Sequence, residues 1–370
     1  MSNKIVSFII PTYNAADTIV RCLDSIRNLS LDKEEYEIIV IDDYSTDETI
    51  RIVEDYAKSL NSFLDSSRTI VSLTPSFVNS LQVLRQPENH RQGAARNRGV
   101  SVAKGEYICF VDADDAVAEG IVNAIRMAKE KNADMVALHY ALCNEHGSIT
   151  SEAQKLSFAE GVSFSGIEMQ NKHSYWCSAP WGYIYSKVFL QKVNYPFLED
   201  VLFEDSDFVA VHLYHAKRMA YSPELGYKAY YREGSTTRHT SYKNVADYLL
   251  LGVRMMRFYE RIMNEREKEL MSEGVNELMS EREKFAEGIL EGACWNVQKS
   301  CRRLIKLGGI KEVRAYYERI NEYANLNEIY TDVRYRKYYW NIWTSLCVGH
   351  RKLSMMILAV LIPVYKLVKR

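Results

Sequence analysis

Ile5-Val6-Ser7-Phe8-Ile9-Ile10-Pro11-Thr12-Tyr13-Asn14 and, further on, Glu37-Ile38-Ile39-Val40-Ile41-Asp42-Asp43 are two short runs rich in Ile and Val, each stopped by turn-forming or polar residues. Between them, from about Ala16 to Leu29, the apolar positions recur at helical spacing. Strand, helix and strand in that order predict two parallel strands joined by a crossover helix, because parallel neighbours cannot be linked by a tight turn. The first run leads almost directly from the N-terminal residues into Pro11, with no basic leader and no small-residue cleavage site, so it reads as a strand and not as a signal peptide.

The pattern continues outward from this core. Ser45 and Thr46 can cap a helix from Asp47 to Leu60, with Ile50, Val53 and Ala57 on one face. Residues 61–80, rich in Ser and Thr and containing Pro75, read as an inserted loop or small hairpin. Regularity resumes with a strand at Leu81–Leu84, a helix at about Gly93–Ala103, the strand Tyr107–Val111, a helix at Gly120–Asn132 and a strand at Met135–Tyr140. The predicted fold class is therefore α/β, a doubly wound and mostly parallel sheet. From Val245 to about Glu328 the chain is rich in Glu, Arg, Leu and Met without strand-like runs, which predicts packed helices. The expected organisation is a catalytic domain over residues 1–240, a helical region over 241–330 and a basic, apolar tail over 331–370.

Bulk properties bound the function. At 370 residues with 47% hydrophobic side chains, the chain can bury a full core and carry a second, smaller module. A net charge of −1 supplies no electrostatic footprint for nucleic acid. The 7 cysteines form no CxxC pairs, which favours a reducing compartment and excludes a zinc site of that type. In the last forty residues eight Lys or Arg face one acid beside Trp340, Trp343 and the apolar stretch Leu353–Val368. That stretch is too short, and too interrupted by Pro363 and Lys366, to span a bilayer; it reads as a helix lying on an anionic membrane surface, the alternative being a C-terminal helix packed on the body of the protein.

In a sheet of this kind ligands bind outside the carboxyl ends of the strands, so residues just past strand ends are the candidates for chemistry. Asp112-Ala113-Asp114-Asp115 follows the strand Tyr107–Val111. Carboxylates at alternate positions there can share one hard divalent cation while leaving coordination sites for diphosphate oxygens and water. Asp42 and Asp43 end the second strand, where a carboxylate can accept hydrogen bonds from a base imide or a ribose hydroxyl. Pro11-Thr12-Tyr13-Asn14 ends the first, offering an aromatic face and short polar groups.

Pro11-Thr12-Tyr13-Asn14, Ile41-Asp42-Asp43-Tyr44-Ser45-Thr46-Asp47, Ala94-Ala95-Arg96-Asn97-Arg98-Gly99 and Gly105-Glu106-Tyr107 running on to Asp115 together resemble the family 2 glycosyltransferases of GT-A fold over about residues 4–240. The resemblance implies that Pro11, Thr12, Tyr13, Asn14, Asp42 and Asp43 surround the nucleoside, most often uridine. It implies that Asp112 and Asp114, flanking Ala113, form the metal-binding DXD motif for Mg²⁺ or Mn²⁺, the second touching the cation directly, and that Arg96 lies near the donor phosphates. Tyr44 stands where the family usually has glycine. Phe203-Glu204-Asp205-Ser206-Asp207-Phe208 resembles the family's ED motif, with Asp205 as base beside Glu204; three carboxylates flanked by aromatics are a setting in which like charge and burial raise a pKa. One base and one leaving group imply inversion at the sugar carbon. Trp181, in Ser178–Tyr185, either lines the acceptor cleft by stacking on a sugar ring or belongs to the core. Tyr230-Tyr231-Arg232 resembles a motif near the diphosphate, with Arg232 neutralising the leaving group; His239 is a candidate third metal ligand, the alternative being an unengaged histidine in a polar loop.

These residues predict a glycosyltransferase that uses a nucleotide-diphosphate sugar, most often a UDP-sugar, at the cytoplasmic face of a membrane, on a glycan or lipid-linked acceptor. A nucleotidyltransferase would carry a Gly- and Lys-rich phosphate loop after the first strand, which is absent. A non-catalytic sugar-nucleotide binder would keep the domain but lose Asp43, Asp112, Asp114 and Asp205, all of which are present.

Overall fold

The computed structural model describes residues 4–61, 81–158, 163–173, 177–231, 241–273 and 280–307. The expected insertion at 61–80, apart from Asn61, and the whole tail after residue 307 lie outside the described residues, as do Arg232 and His239. The chain divides into two compact units, Met1–Glu233 and Gly234–Arg370.

The first unit is built on a nine-stranded sheet. Its strands are β1 (Val6–Thr12), β2 (Tyr36–Asp42), β3 (Leu81–Arg85), β4 (Tyr107–Phe110), β5 (Ala116–Val117), β6 (Met135–Cys143), β7 (Ile149–Glu152), β8 (Tyr183–Ser186) and β9 (Met219–Tyr230). They lie in the order β3-β2-β1-β4-β8-β6-β9-β5, with β7 paired to β6. Pairing is parallel through β3, β2, β1 and β4. It turns antiparallel on both sides of β8 and parallel again between β6 and β9. Strands β1, β2, β3, β4, β6 and β9 therefore share one direction, and their carboxyl ends gather on one edge. The chain reverses its order between β1, whose neighbours are β2 and β4, so the ligand crevice belongs at that edge.

The helices are α1 (Ile19–Arg27), α2 (Thr49–Asn61), α3 (Arg91–Val102), α4 (Gly120–Glu130), α5 (Gly166–Lys172), α6 (Lys187–Val193) and α7 (Asp205–His215). Every residue of β1 and β2 is buried, which is why both read as nearly unbroken apolar runs and not as an alternating pattern. Each fully buried Ile or Phe there contributes about 1.5–3 kcal/mol. Within the strands the polar pair Ser7 and Glu37 satisfy one another: Ser7 Oγ donates to Glu37 Oε1 at 2.6 Å, and the backbone N–H groups of Gly105 and Lys104 donate to Ser7 Oγ and Glu37. A side chain on Gly105 would meet Ser7 N at 2.5 Å, so this turn into β4 needs glycine.

The sequence pattern did not announce β7, β8, β9 or α5–α7. Strand β8 is only four residues long and follows a single 3₁₀ turn at Pro180–Gly182. In the second unit, α8 (Tyr242–Glu273) and α9 (Glu281–Leu307) pack on one another. Leu251, Met255, Tyr259 and Ile262 of α8 are buried, as are Phe285, Ile289, Leu290 and Ala293 of α9. Among the described residues no helix is long and apolar enough to cross a membrane.

Candidate active site

The loops after β1 and β2 are knitted together by side chains the motifs supply. Asn14, at φ 48°, receives a hydrogen bond on Oδ1 from Thr46 N at 2.9 Å and donates its own N–H to Ser45 Oγ at 3.0 Å. Asp42 is fully buried and accepts from Ser45 N at 3.2 Å and from Arg85 Nε at 3.2 Å. Asp43 accepts from Gln86 Nε2 and from His90 N, both at 2.8 Å. Burial raises the pKa of both carboxyls, and these donors oppose the rise. Thr12 turns its hydroxyl back onto Ile10 O at 3.1 Å, Pro11 is buried in β1, and Tyr13 is exposed. The buried members of the set thus build the loops, while Tyr13 presents an open face. Tyr44 adopts φ 68°, the left-handed conformation that glycine reaches without strain, and lies 5.3 Å beneath the Arg85 guanidinium.

Beyond β4, Asp112 and Asp114 are half-buried, whereas Ala113 and Asp115 are buried. Asp115 anchors the turn: Tyr227 Oη donates to its Oδ2 at 2.8 Å and Tyr230 N to its Oδ1 at 2.7 Å. Tyr227 Oη in turn accepts from Asp112 N at 3.1 Å. Burial, then repulsion from Asp112 and Asp114, pushes the Asp115 carboxyl well up. Arg21 of α1 caps the turn from the other side, donating to Asp114 O and lying 3.9 Å over the Tyr230 ring. The anchors Asp115, Tyr227 and Arg21 were not assigned by the motif reading; Asp115 and Tyr230 stood inside quoted motifs, but nothing in the sequence around Arg21 marks it.

Among the described residues no group of three or more His, Cys, Asp or Glu side chains is gathered to hold a metal ion. A hard divalent cation that keeps water and phosphate oxygens in its shell requires only one or two protein carboxylates. The half-buried pair Asp112 and Asp114, held on a turn with its backbone already satisfied, fits Mg²⁺ or Mn²⁺ in that mode.

The acidic run reaches the same crevice. Glu204 occupies the N-cap position of α7 and Asp205 is its first residue. Arg96 of α3, 2% exposed, links the two halves: Nη1 donates to Glu204, and Nη2 donates to Asp112 Oδ1 at 2.9 Å and to Gln92 Oε1 at 3.3 Å. Burial opposes the guanidinium charge, but Asp112, Glu204 and Asp205 outweigh it and raise its pKa. Burial lifts Glu204 to about 7 and Asp205 to about 6, with Arg96 holding both lower than burial alone would. The run enters α7 through Phe203 at φ 67°, a conformation costly for a bulky side chain and typical of functional loops. The third acid, Asp207, is buried and accepts from Tyr195 Oη at 2.8 Å, so it is structural. Trp181 stacks on Tyr227 at 4.5 Å and 4° and meets Tyr140 edge-on at 5.0 Å. Half-buried, it buttresses the tyrosine that holds Asp115 and Asp112.

Comparison with known proteins bears on the family and the fold. Residues 7–190 match the family model Glycosyl transferase family 2. The poly(ribitol-phosphate) beta-glucosyltransferase of Bacillus spizizenii is 37% identical over 131 residues, 35% of this chain but only 18% of that protein. The glycosyltransferase YibD of Escherichia coli is 26% identical over 269 residues, 70% of this chain and 71% of that one. In fold, the chain is similar to Staphylococcus aureus TarS 1–349 solved with UDP-GlcNAc, with a TM-score of 0.54 and 22% identity over 81% of this chain and 84% of that one. With carboxylates from β4 and from α7 meeting at the parallel edge of a GT-A sheet, and with the family model covering that sheet through β8, the chain belongs to glycosyl transferase family 2.

Proposed function

We propose that the chain is an inverting glycosyltransferase that moves a hexosyl or N-acetylhexosaminyl group from a nucleotide-diphosphate sugar, a UDP-sugar in the first instance, to a hydroxyl of a glycan or lipid-linked glycan. The observation that carries the reading is the span from Asp112 through Arg96 to Glu204, with Asp205 next to it. Carboxylates suited to the leaving group and a carboxylate suited to the attacking group share one crevice. Relatives named for glucosyl and N-acetylglucosaminyl transfer support the sugar class.

Asp205 is the base. Glu204 is committed to Arg96, whereas Asp205 is half-buried and held near pH 6, where it is ionised at neutral pH yet basic enough to take a proton. It accepts the proton of the acceptor hydroxyl as that oxygen bonds to the anomeric carbon. The bond from that carbon to the diphosphate oxygen breaks, the nucleoside diphosphate leaves, and the configuration inverts. Asp112 and Asp114 would hold Mg²⁺ or Mn²⁺, which supplies positive charge to the departing diphosphate. Tyr13 provides the exposed ring for the base, beside the loop that Asn14, Asp42 and Asp43 hold in shape. Arg232 and His239 complete the diphosphate side in this reading, and the basic tail after residue 331 brings the enzyme to the inner face of the membrane.

The test is release of UDP from UDP-glucose and UDP-GlcNAc with Mn²⁺, with and without added polyol-phosphate or glycan acceptors. Turnover should depend on metal and vanish in Asp114→Asn while that variant keeps its melting temperature. Normal metal-dependent turnover by Asp114→Asn refutes the assignment.

A further inference from the structure

Arg96 stands in the middle of α3, where helix packing alone asks for no charge, and moving a guanidinium out of water is expensive unless its partners repay it. Its partners are unusual in coming from two sides of the crevice, Asp112 beyond β4 and Glu204 ahead of α7. Its flat face lies 5.3 Å over Phe197, and its Nε is buried without a hydrogen-bond partner among the described residues. The rest of α3 grips the same acidic loop. Asn97 donates to Phe197 O at 2.9 Å and to Glu199 at 3.0 Å, and accepts from Phe197 N at 3.0 Å. Gly93 brings the helix so close that an added Cβ would stand 2.0 Å from Leu198 O. Little more than one turn of one helix, residues 93–97, therefore holds residues 197–204, and Arg96 extends that hold to Asp112.

We propose that Arg96 is a positioning residue that sets the first turn of α7, and with it Asp205, at a fixed height over Asp112 and Asp114, so that it governs acceptor activation and not donor binding. The inference rests on Asp205 being the base. It departs from a direct phosphate contact, because the guanidinium donors are already directed at carboxylates.

Arg96→Lys keeps the charge but cannot reach Glu204 and Asp112 together. Its kcat should fall about tenfold to a hundredfold, the scale of a misplaced reacting group, while the Kd for UDP with Mn²⁺ and the donor KM stay within about twofold of wild type. The double variant Arg96→Gln with Glu204→Gln removes both members of the buried Arg96–Glu204 pair and guards against misfolding. Adding Glu204→Gln to Arg96→Gln should cost far less kcat than adding it to wild type, since the two positions act as one unit. A tenfold loss of UDP affinity with kcat preserved, or unchanged kcat in both Arg96 variants, overturns the proposal. Asp205→Asn is measured beside them. If it transfers sugar normally, the assignment of the base fails whatever Arg96 does.

Discussion

Asp205→Asn should make the protein inactive and more stable at once. Burial lifts the Asp205 carboxyl from its ordinary value of 3.8 to about 6, so the folded state holds that proton more tightly than the unfolded chain does. A raised pKa contributes stability only while the group is protonated, and that contribution is lost as pH rises through the folded value. At about 1.36 kcal/mol per pH unit, the ionised carboxylate costs the fold about 3 kcal/mol at pH 8 and about half that at pH 5. Sharing the proton with Glu204 and losing the favourable charge at the start of α7 together remove about 1 kcal/mol of the gain available to asparagine. The net expectation is a variant more stable than wild type by about 2 kcal/mol at pH 8, with the advantage shrinking toward pH 5. Urea denaturation at the two pH values measures it, and the same residue predicts that wild-type kcat/KM falls as pH drops below about 6. A variant equal to or weaker than wild type at pH 8 refutes the claim that burial strains this carboxylate.

Tyr227→Phe deletes the hydroxyl that donates to Asp115 and accepts from Asp112 N, leaving the buried Asp115 Oδ2 and the half-buried Asp112 N–H without that partner. It should cost about 2–4 kcal/mol in urea denaturation and weaken Mn²⁺ binding; a loss below about 1 kcal/mol means the turn does not depend on that hydroxyl. Gly93→Ala places a Cβ against Leu198 O, so either α3 or the 197–204 loop must shift. Its kcat should fall at least tenfold, on the scale of a displaced base, with UDP affinity retained, and unchanged kcat shows that the close approach is not needed.

Much of the parallel half was legible because each of its signals is local. Fully buried strands such as Ile5–Ile10 and Glu37–Ile41 read as unbroken apolar runs, α4 shows a clear helical repeat, and the glycosyltransferase motifs sit where those strands end. The antiparallel half was not legible in the same way: β8 is four residues long, and β9 shifts register where it passes His139. The sequence by itself also nominated Asp112 and Asp114, as carboxylates just past an apolar strand, and Glu204 and Asp205 through the resemblance of their run to the family's ED motif. Only the tertiary structure decided what each does. It turned Asp42, Asp115 and Asp207 into struts by burying them against specific donors, and it stacked Trp181 on Tyr227. It also set Arg96 between two acids far apart in the chain. Local pattern reports which residues carry charge and where strands stop, whereas burial and pairing depend on neighbours a hundred residues away, which no stretch of the chain encodes alone.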